Sequence, residues 1–288
     1  MTANKSAPNL RKGHAELLHE FGGEGPVVHL AHANGFPPGS YRLLADALVE
    51  RYRVIALPSR ALWPGSQPET VRDWRALADD LILGLDELGL RGILGIGHSI
   101  GGVLTMWAAI RRPDLFRAVV LIDPVILPPA WLLTLRVMRC VGLYWRQPLV
   151  QGALRRRRVW PSQPACYESY WNKPLFANWP EASLRAYVEA GTRPRADGQV
   201  ELVYSPEWEA RIFATSPVDV WRDVAKLRAP ALIIRGKQSN TFRPECPARM
   251  KRLLPNAHYV VIPGAGHLAP LERPAETGAA IRAFLDSF

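Results

Sequence analysis

The sequence predicts an α/β fold, in which strand-like apolar runs alternate with helical patterns on either side of one long insertion. Three observations carry this. Short apolar runs at Val27–His32, Arg53–Leu57, Ile93–Ile96, Ala118–Ile122, Ala231–Arg235 and His258–Ile262 read as buried strands, with helical stretches between them. The run at Ile93–Ile96 passes through a glycine-rich turn straight into a helix. From Pro124 to about Pro217 the alternation stops. A chain of 288 residues, 48% of them hydrophobic, can bury a full core as one large domain or as one domain plus an insertion.

The elements follow in order. After a polar start, Ala15–Phe21 is expected to open the sheet, with a turn at Gly22-Gly23. Val27–His32 is expected as a central strand, ending in His32-Ala33-Asn34-Gly35-Phe36-Pro37, with a helix over Tyr41–Glu50. Arg53–Leu57 is the next strand, and Pro58–Pro68 is a loop of prolines and small residues. Val71–Leu88 shows helical spacing at Trp74, Leu77, Leu81, Leu85 and Leu88, closed by Gly89. The strand Ile93–Ile96 and helix Leu104–Ile110 follow, and then the strand Ala118–Ile122, which runs into Asp123. The insertion is dense in tryptophan and tyrosine and broken repeatedly by proline. Beyond it come a helix at Val218–Leu227, the strand Ala231–Arg235, a helix at Pro244–Leu254, the strand His258–Ile262 and a closing helix at Ala275–Phe288.

The turn after Ile96 reads Gly97-His98-Ser99-Ile100-Gly101, the G-x-S-x-G pattern of a nucleophile elbow. Gly97, Gly101 and Gly102 remove bulk where strand and helix must approach closely. Such a turn lifts the Ser99 hydroxyl clear of the sheet and aims the N–H groups of the following helix at developing negative charge. On these residues the chain resembles the α/β-hydrolase family, of the cap-bearing serine hydrolase or esterase type, from about Pro26 to the C-terminus. The resemblance implies a mostly parallel central sheet flanked by helices, formed by residues 1–123 and 218–288. It also implies that residues 124–217 are a helical cap over the active site. Asn34-Gly35-Phe36-Pro37 matches the family's H-G-x-P frame, with Asn34 where the histidine usually stands. That match implies an oxyanion hole built from the backbone N–H groups of Phe36 and Ile100.

A serine hydroxyl needs a base, and the base needs a third group to fix its tautomer. The resemblance implies His267, in Pro263-Gly264-Ala265-Gly266-His267 after the last strand, as that base. His14, His19, His29, His32, His98 and His258 lack this context, and packing or surface roles suit them better. For the acid, relatives usually carry aspartate in the loop after Ala231–Arg235, where this chain has Asn240 and no carboxylate. Asp123, at the end of the strand after the elbow, matches the position used by some cap-bearing relatives. Asp123 as the acid, Asn240 as a neutral orienter and another carboxylate such as Glu245 stay open on sequence. Asn34, Trp131, Trp145 and Trp171 are expected to line an apolar substrate pocket.

The net charge of +10 is local in origin. No acidic residue lies between Pro124 and Tyr167, whereas Arg136, Arg139, Arg146 and the run Arg155–Arg158 do. A solvated face, an anionic membrane surface or an anionic substrate fits that run; nucleic acid does not, because no binding fold accompanies the charge. Cys140, Cys166 and Cys246 are too scattered for a disulfide framework or a metal site, and with no secretory h-region a cytoplasmic location is expected. No cofactor motif appears. The expected activity is hydrolysis of a small or medium apolar carboxylic ester through an acyl-enzyme on Ser99. A thioesterase, C–C hydrolase or acyltransferase would use the same residues, and a ligand-binding relative with weak catalysis is the alternative from another class. The sequence leaves the oligomeric state open.

Overall fold

The computed structural model describes residues 16–287. Seven strands form one sheet: β1 (His19–Gly22), β2 (Val27–Ala31), β3 (Arg53–Ala56), β4 (Ile93–His98), β5 (Phe116–Ile122), and two later strands, β9 (Ala231–Gly236) and β10 (His258–Ile262). Their order is β1-β3-β2-β4-β5-β9-β10, with β1 antiparallel to β3 and every other pair parallel. Residue Ala15 and His14 lie outside the described residues.

Both faces of the sheet are covered, which is why its inner strands read as unbroken apolar runs. On β5, Val119 and Leu121 face one core cluster while Ala118, Val120 and Ile122 face the other; β9 splits the same way between Ala231 and Ile233 and Leu232 and Ile234. One layer contains α1 (Arg42–Asp46) and α12 (Pro274–Leu285), the other α2 (Arg75–Glu87) and α3 (Ile100–Arg111). The helix expected over Tyr41–Glu50 starts as a 3₁₀ turn at Pro38–Tyr41 and is α-helical only over Arg42–Asp46. The one expected at Val71–Leu88 begins at Arg75, where the Asp73 carboxylate accepts the Arg75 N–H at 2.7 Å. Of Val218–Leu227 only α9 (Trp221–Val224) is helical, and α10 (Glu245–Leu253) follows β9. A short α11 (Ala269–Glu272) precedes α12.

The insertion carries a small antiparallel sheet among its helices, a feature the sequence reading did not include. It contains α4 (Pro129–Cys140), α5 (Pro148–Leu154), α6 (Gln163–Trp171), α7 (Glu181–Gly191) and α8 (Pro206–Ala214). Between them β6 (Val159–Trp160), β7 (Thr192–Pro194) and β8 (Val200–Leu202) form an antiparallel sheet in the order β6-β8-β7. Strands of two or three residues are too short to show a period of two. Insertion residues Trp160, Phe176, Trp179 and Tyr187 extend one core cluster, and Tyr204, Trp208 and Ile212 extend the other. The insertion is therefore packed continuously onto the sheet layers. Among the described residues, no helix is long and apolar enough to cross a membrane.

Candidate active site

The loops after β2, β4, β5, β9 and β10 meet at the C-terminal edge of the sheet, where open α/β sheets place their ligand sites. Ser99 sits between β4 and α3 with φ 59° and ψ −119°, and Asp123 ends β5 with φ 43°. Among the described residues these are the only non-glycine residues with positive φ. Each such conformation costs on the order of 1–3 kcal/mol and persists where the surroundings enforce it. At Ser99 the enforcement is visible: a Cβ on Gly101 would overlap the Ala31 carbonyl, and one on Gly97 would overlap the Gly101 carbonyl. The helix thus starts directly against the strands, with Ser99 only 6% exposed.

His267 bridges the two strained residues. Its Nε2 lies 2.9 Å from Ser99 Oγ, and its Nδ1 lies 2.6 Å from Asp123 Oδ1. Since a carboxylate only accepts, the proton is on Nδ1 and Nε2 is free to accept from the serine. Asp123 is fully buried, and each oxygen has further support. Ser239 Oγ donates to Oδ1 at 2.6 Å, and the Gly236 N–H donates to Oδ2 at 3.0 Å.

The loop after β9 therefore supplies hydrogen-bond donors to a carboxylate on the neighbouring strand end. Asn240 is exposed and hydrogen-bonds to Thr241, while its neighbour Ser239 reaches Asp123. Glu245, the other carboxylate considered, is exposed and paired with Arg243 at 3.0 Å. Arg235 organises the same loop: its guanidinium donates to the carbonyls of Phe242, Lys237 and Ser239 at 2.7, 3.2 and 3.3 Å.

Two side chains hold the loop that carries His267. The buried Glu272 carboxylate accepts the N–H groups on both sides of it, from Gly266 at 2.6 Å and Leu268 at 3.2 Å. His98 Nε2 donates to the His267 carbonyl at 2.9 Å. Burial, with a smaller contribution from His267, pushes the His98 ring down to about 3, so the ring is neutral near pH 7 and its one proton is on Nε2. Nδ1 must then accept, and it does so from the Tyr41 hydroxyl at 2.7 Å; that oxygen in turn accepts the Ala33 N–H at 2.9 Å. The chain from Ala33 through Tyr41 and His98 to His267 ties the loop after β2 to the loop after β10. Sequence spacing marked His98 only as the variable residue of the elbow.

Ile100 is the first residue of α3, so its N–H has no acceptor within the helix. The Phe36 N–H closes a turn on the Ala33 carbonyl at 3.2 Å. The Phe36 ring packs against Tyr187 and Trp179 of the insertion, with centroids 5.2 and 6.1 Å away. Asn34 is buried and donates to the Glu209 carbonyl at 3.0 Å, joining the same loop to α8. Beside it Arg156 pairs with the Glu209 carboxylate and donates to the hydroxyls of Tyr187 at 2.8 Å and Tyr170 at 3.2 Å.

The expected pocket tryptophans lie elsewhere. Trp131, Trp145 and Trp171 are exposed, beneath Arg243, beneath Arg211 and stacked on Tyr167, respectively. Helical spacing in the insertion could not separate rings facing the body from rings facing water. The aromatic wall against Phe36 is built from Trp179 and Tyr187, with Tyr170 and Phe176 packed behind Tyr187. Among the described residues, no group of His, Cys, Asp and Glu could hold a metal ion.

The sequence profile of the alpha/beta hydrolase family matches residues 27–280. The chain belongs to that family. It is similar to 2-(acetamidomethylene)succinate hydrolase of Mesorhizobium japonicum, with 31% identity over 92% of this chain and 90% of the relative. A crystal structure of E-2-(acetamidomethylene)succinate hydrolase superposes with a TM-score of 0.76 and 26% identity, covering 93% of this chain and 94% of the other. Some relatives are longer: bifunctional epoxide hydrolase 2 of Rattus norvegicus is 22% identical over 88% of this chain but only 50% of its own length.

Proposed function

We propose that this α/β hydrolase cleaves an acyl bond through an acyl-enzyme on Ser99, with His267 as general base and acid and Asp123 as the residue that orients it. The observation that carries the reading is the continuous line from Ser99 Oγ to His267 Nε2 at 2.9 Å and from His267 Nδ1 to Asp123 at 2.6 Å. In the first step His267 takes the Ser99 proton as Oγ attacks the carbonyl carbon. The N–H groups of Ile100 and Phe36 hold the oxyanion, and His267 then gives its proton to the leaving group. In the second step His267 deprotonates water, which attacks the acyl carbonyl; the tetrahedral intermediate then collapses, and His267 returns the proton to Ser99 Oγ as the acid leaves.

A small or medium carboxylic ester is the substrate class we favour, because the half-buried Phe36 ring, backed by the buried Trp179 and Tyr187, puts an apolar side chain on the oxyanion loop. Cleavage of a C–N acyl bond is the second reading, and the printed name of the 31% identical relative, with its acetamido group, supports it. A ligand-binding relative with weak catalysis would fit the absence of a carboxylate at Asn240, and Asp123 buried against His267 favours the catalytic reading instead. The discriminating assay compares 4-nitrophenyl acetate with 4-nitroacetanilide, using Ser99→Ala as control. Turnover of the ester alone supports an esterase, and comparable turnover of the anilide supports C–N cleavage. Turnover unchanged in Ser99→Ala would overturn both.

A further inference from the structure

Large apolar side chains that remain exposed concentrate in one stretch of the insertion. Leu133, Val137, Val141, Leu143, Leu149 and Leu154 are each between 39% and 62% exposed. Leu133, Val137 and Val141 follow one another at intervals of four along α4 and its C-cap, so they form a stripe on one face of the helix. The opposite face of α4 is the one that buries Leu132.

Within the segment that carries the stripe, the charge is of one sign. Arg136, Arg146 and Arg155 are exposed, have no carboxylate partner among the described residues, and lie in a segment without any acidic residue from Pro124 to Tyr167. Trp131 on α4 and Trp145 just beyond it, amphipathic rings that suit a water–hydrocarbon boundary, are exposed in the same segment, under Arg243 and Arg211 at 5.4 and 5.7 Å. An apolar stripe with arginines and exposed tryptophans in the same segment fits a helix lying in the plane of a membrane interface.

We propose that α4 and α5 form an interfacial anchor that seats the protein on an anionic lipid bilayer, with the α4 stripe in the acyl boundary and the arginines among the headgroups. Charge selects this occupant over a second copy of the chain. A two-fold contact through the stripe would bring Arg136, Arg146 and Arg155 of both copies together, with no carboxylate in the segment to offset them. An anionic bilayer supplies the apolar layer and the negative charge at once. The anchor does not depend on the chemistry at Ser99.

Vesicle flotation of the full chain tests it, with phosphatidylcholine alone and with a phosphatidylcholine–phosphatidylglycerol mixture. Binding to the anionic vesicles, at least tenfold weaker to the neutral ones and weakened by salt, is expected. The double variant Leu133→Glu, Val137→Glu should lose at least tenfold in binding, with an unchanged circular dichroism spectrum. Leu149→Glu, on the neighbouring helix, provides the same reading if the double variant misfolds. Replacing Arg136, Arg146 and Arg155 by Gln should cost about fivefold in affinity for each charge removed. Absence of vesicle binding, equal binding to neutral vesicles, or binding indifferent to Leu133→Glu, Val137→Glu would overturn the proposal. A concentration-dependent dimer that the same double variant abolishes would overturn it too, and would assign the surface to a second copy.

Discussion

Replacing Asp123 by asparagine changes one atom at the centre of the site, and the surroundings determine its effect. Oδ2 accepts the Gly236 N–H at 3.0 Å, while Oδ1 accepts from Ser239 Oγ and His267 Nδ1, each at 2.6 Å. With the amide NH₂ in the Oδ2 place, two donors would face each other across a backbone N–H that cannot turn away. With NH₂ in the Oδ1 place, His267 can relieve the clash by moving its proton to Nε2. That ring nitrogen then points a proton at Ser99 and can no longer act as a base. The second arrangement should prevail, because a tautomer shifts more easily than a strand end. In a serine protease the equivalent wrong tautomer cost about 10⁴ in kcat, or about 5.4 kcal/mol of transition-state stabilisation. A loss of roughly 10³- to 10⁴-fold in kcat on 4-nitrophenyl acetate is therefore expected, with KM changed little, since Asp123 is buried behind His267. A loss smaller than tenfold would refute the reasoning and remove Asp123 from the mechanism.

Asn240→Ala should leave kcat within about twofold, because the residue is exposed and bonded to Thr241; a loss in steady-state kcat approaching that of Asp123→Asn would contradict this. His98→Ala should lower kcat by roughly 10- to 100-fold with KM preserved, since it frees the His267 carbonyl and the Tyr41 hydroxyl together. His98→Gln, which can still donate to that carbonyl, should recover part of the loss, and equal defects in both variants would argue for a packing role alone. Burial holds His29 and His98 at about 3 and His32 at about 4, whereas the unfolded chain titrates near 6.5. The stability these neutral rings contribute is fully present above the unfolded value and is lost as pH falls towards the folded values. Each should weaken the fold by about 1.4 kcal/mol per pH unit across that window, and urea unfolding at pH 7.5, 6.5 and 5.5 reads the slope. Stability flat from pH 6.5 to 5.5 would contradict it.

What the sequence revealed and what it hid follow one physical division. Ser99 and His267 stand in local contexts, an elbow and a glycine-rich loop after a strand, whose chemistry is written in consecutive residues. Asp123 was legible as a candidate at a strand end, but nothing local could rank it against Asn240. The register of β5 and β9 brings Gly236 and Ser239 onto the Asp123 carboxylate, a pairing that no local stretch of sequence shows. Glu272, Arg235 and His98 went unrecognised as positioning groups because many of their partners are backbone N–H and C=O groups. Such partners carry no side-chain signature. Arg156 is a related case: within a run of four arginines it alone is drawn inward, by Glu209 and two tyrosines that lie far along the chain. The alternating faces of β5 and β9 were legible as continuous apolar runs because helices cover both sides of the sheet.

The most direct measurement is labelling of the intact protein with a fluorophosphonate, followed by mass determination and peptide mapping. A fluorophosphonate reacts when a base activates the serine and N–H groups hold the phosphoryl oxygen, so it reports the assembled site without a known substrate. Stoichiometric modification at Ser99, lost in Ser99→Ala and slowed by orders of magnitude in Asp123→Asn, is expected. A folded protein that stayed unlabelled, or took the label at another residue, would contradict the assignment of Ser99, His267 and Asp123 as the catalytic line.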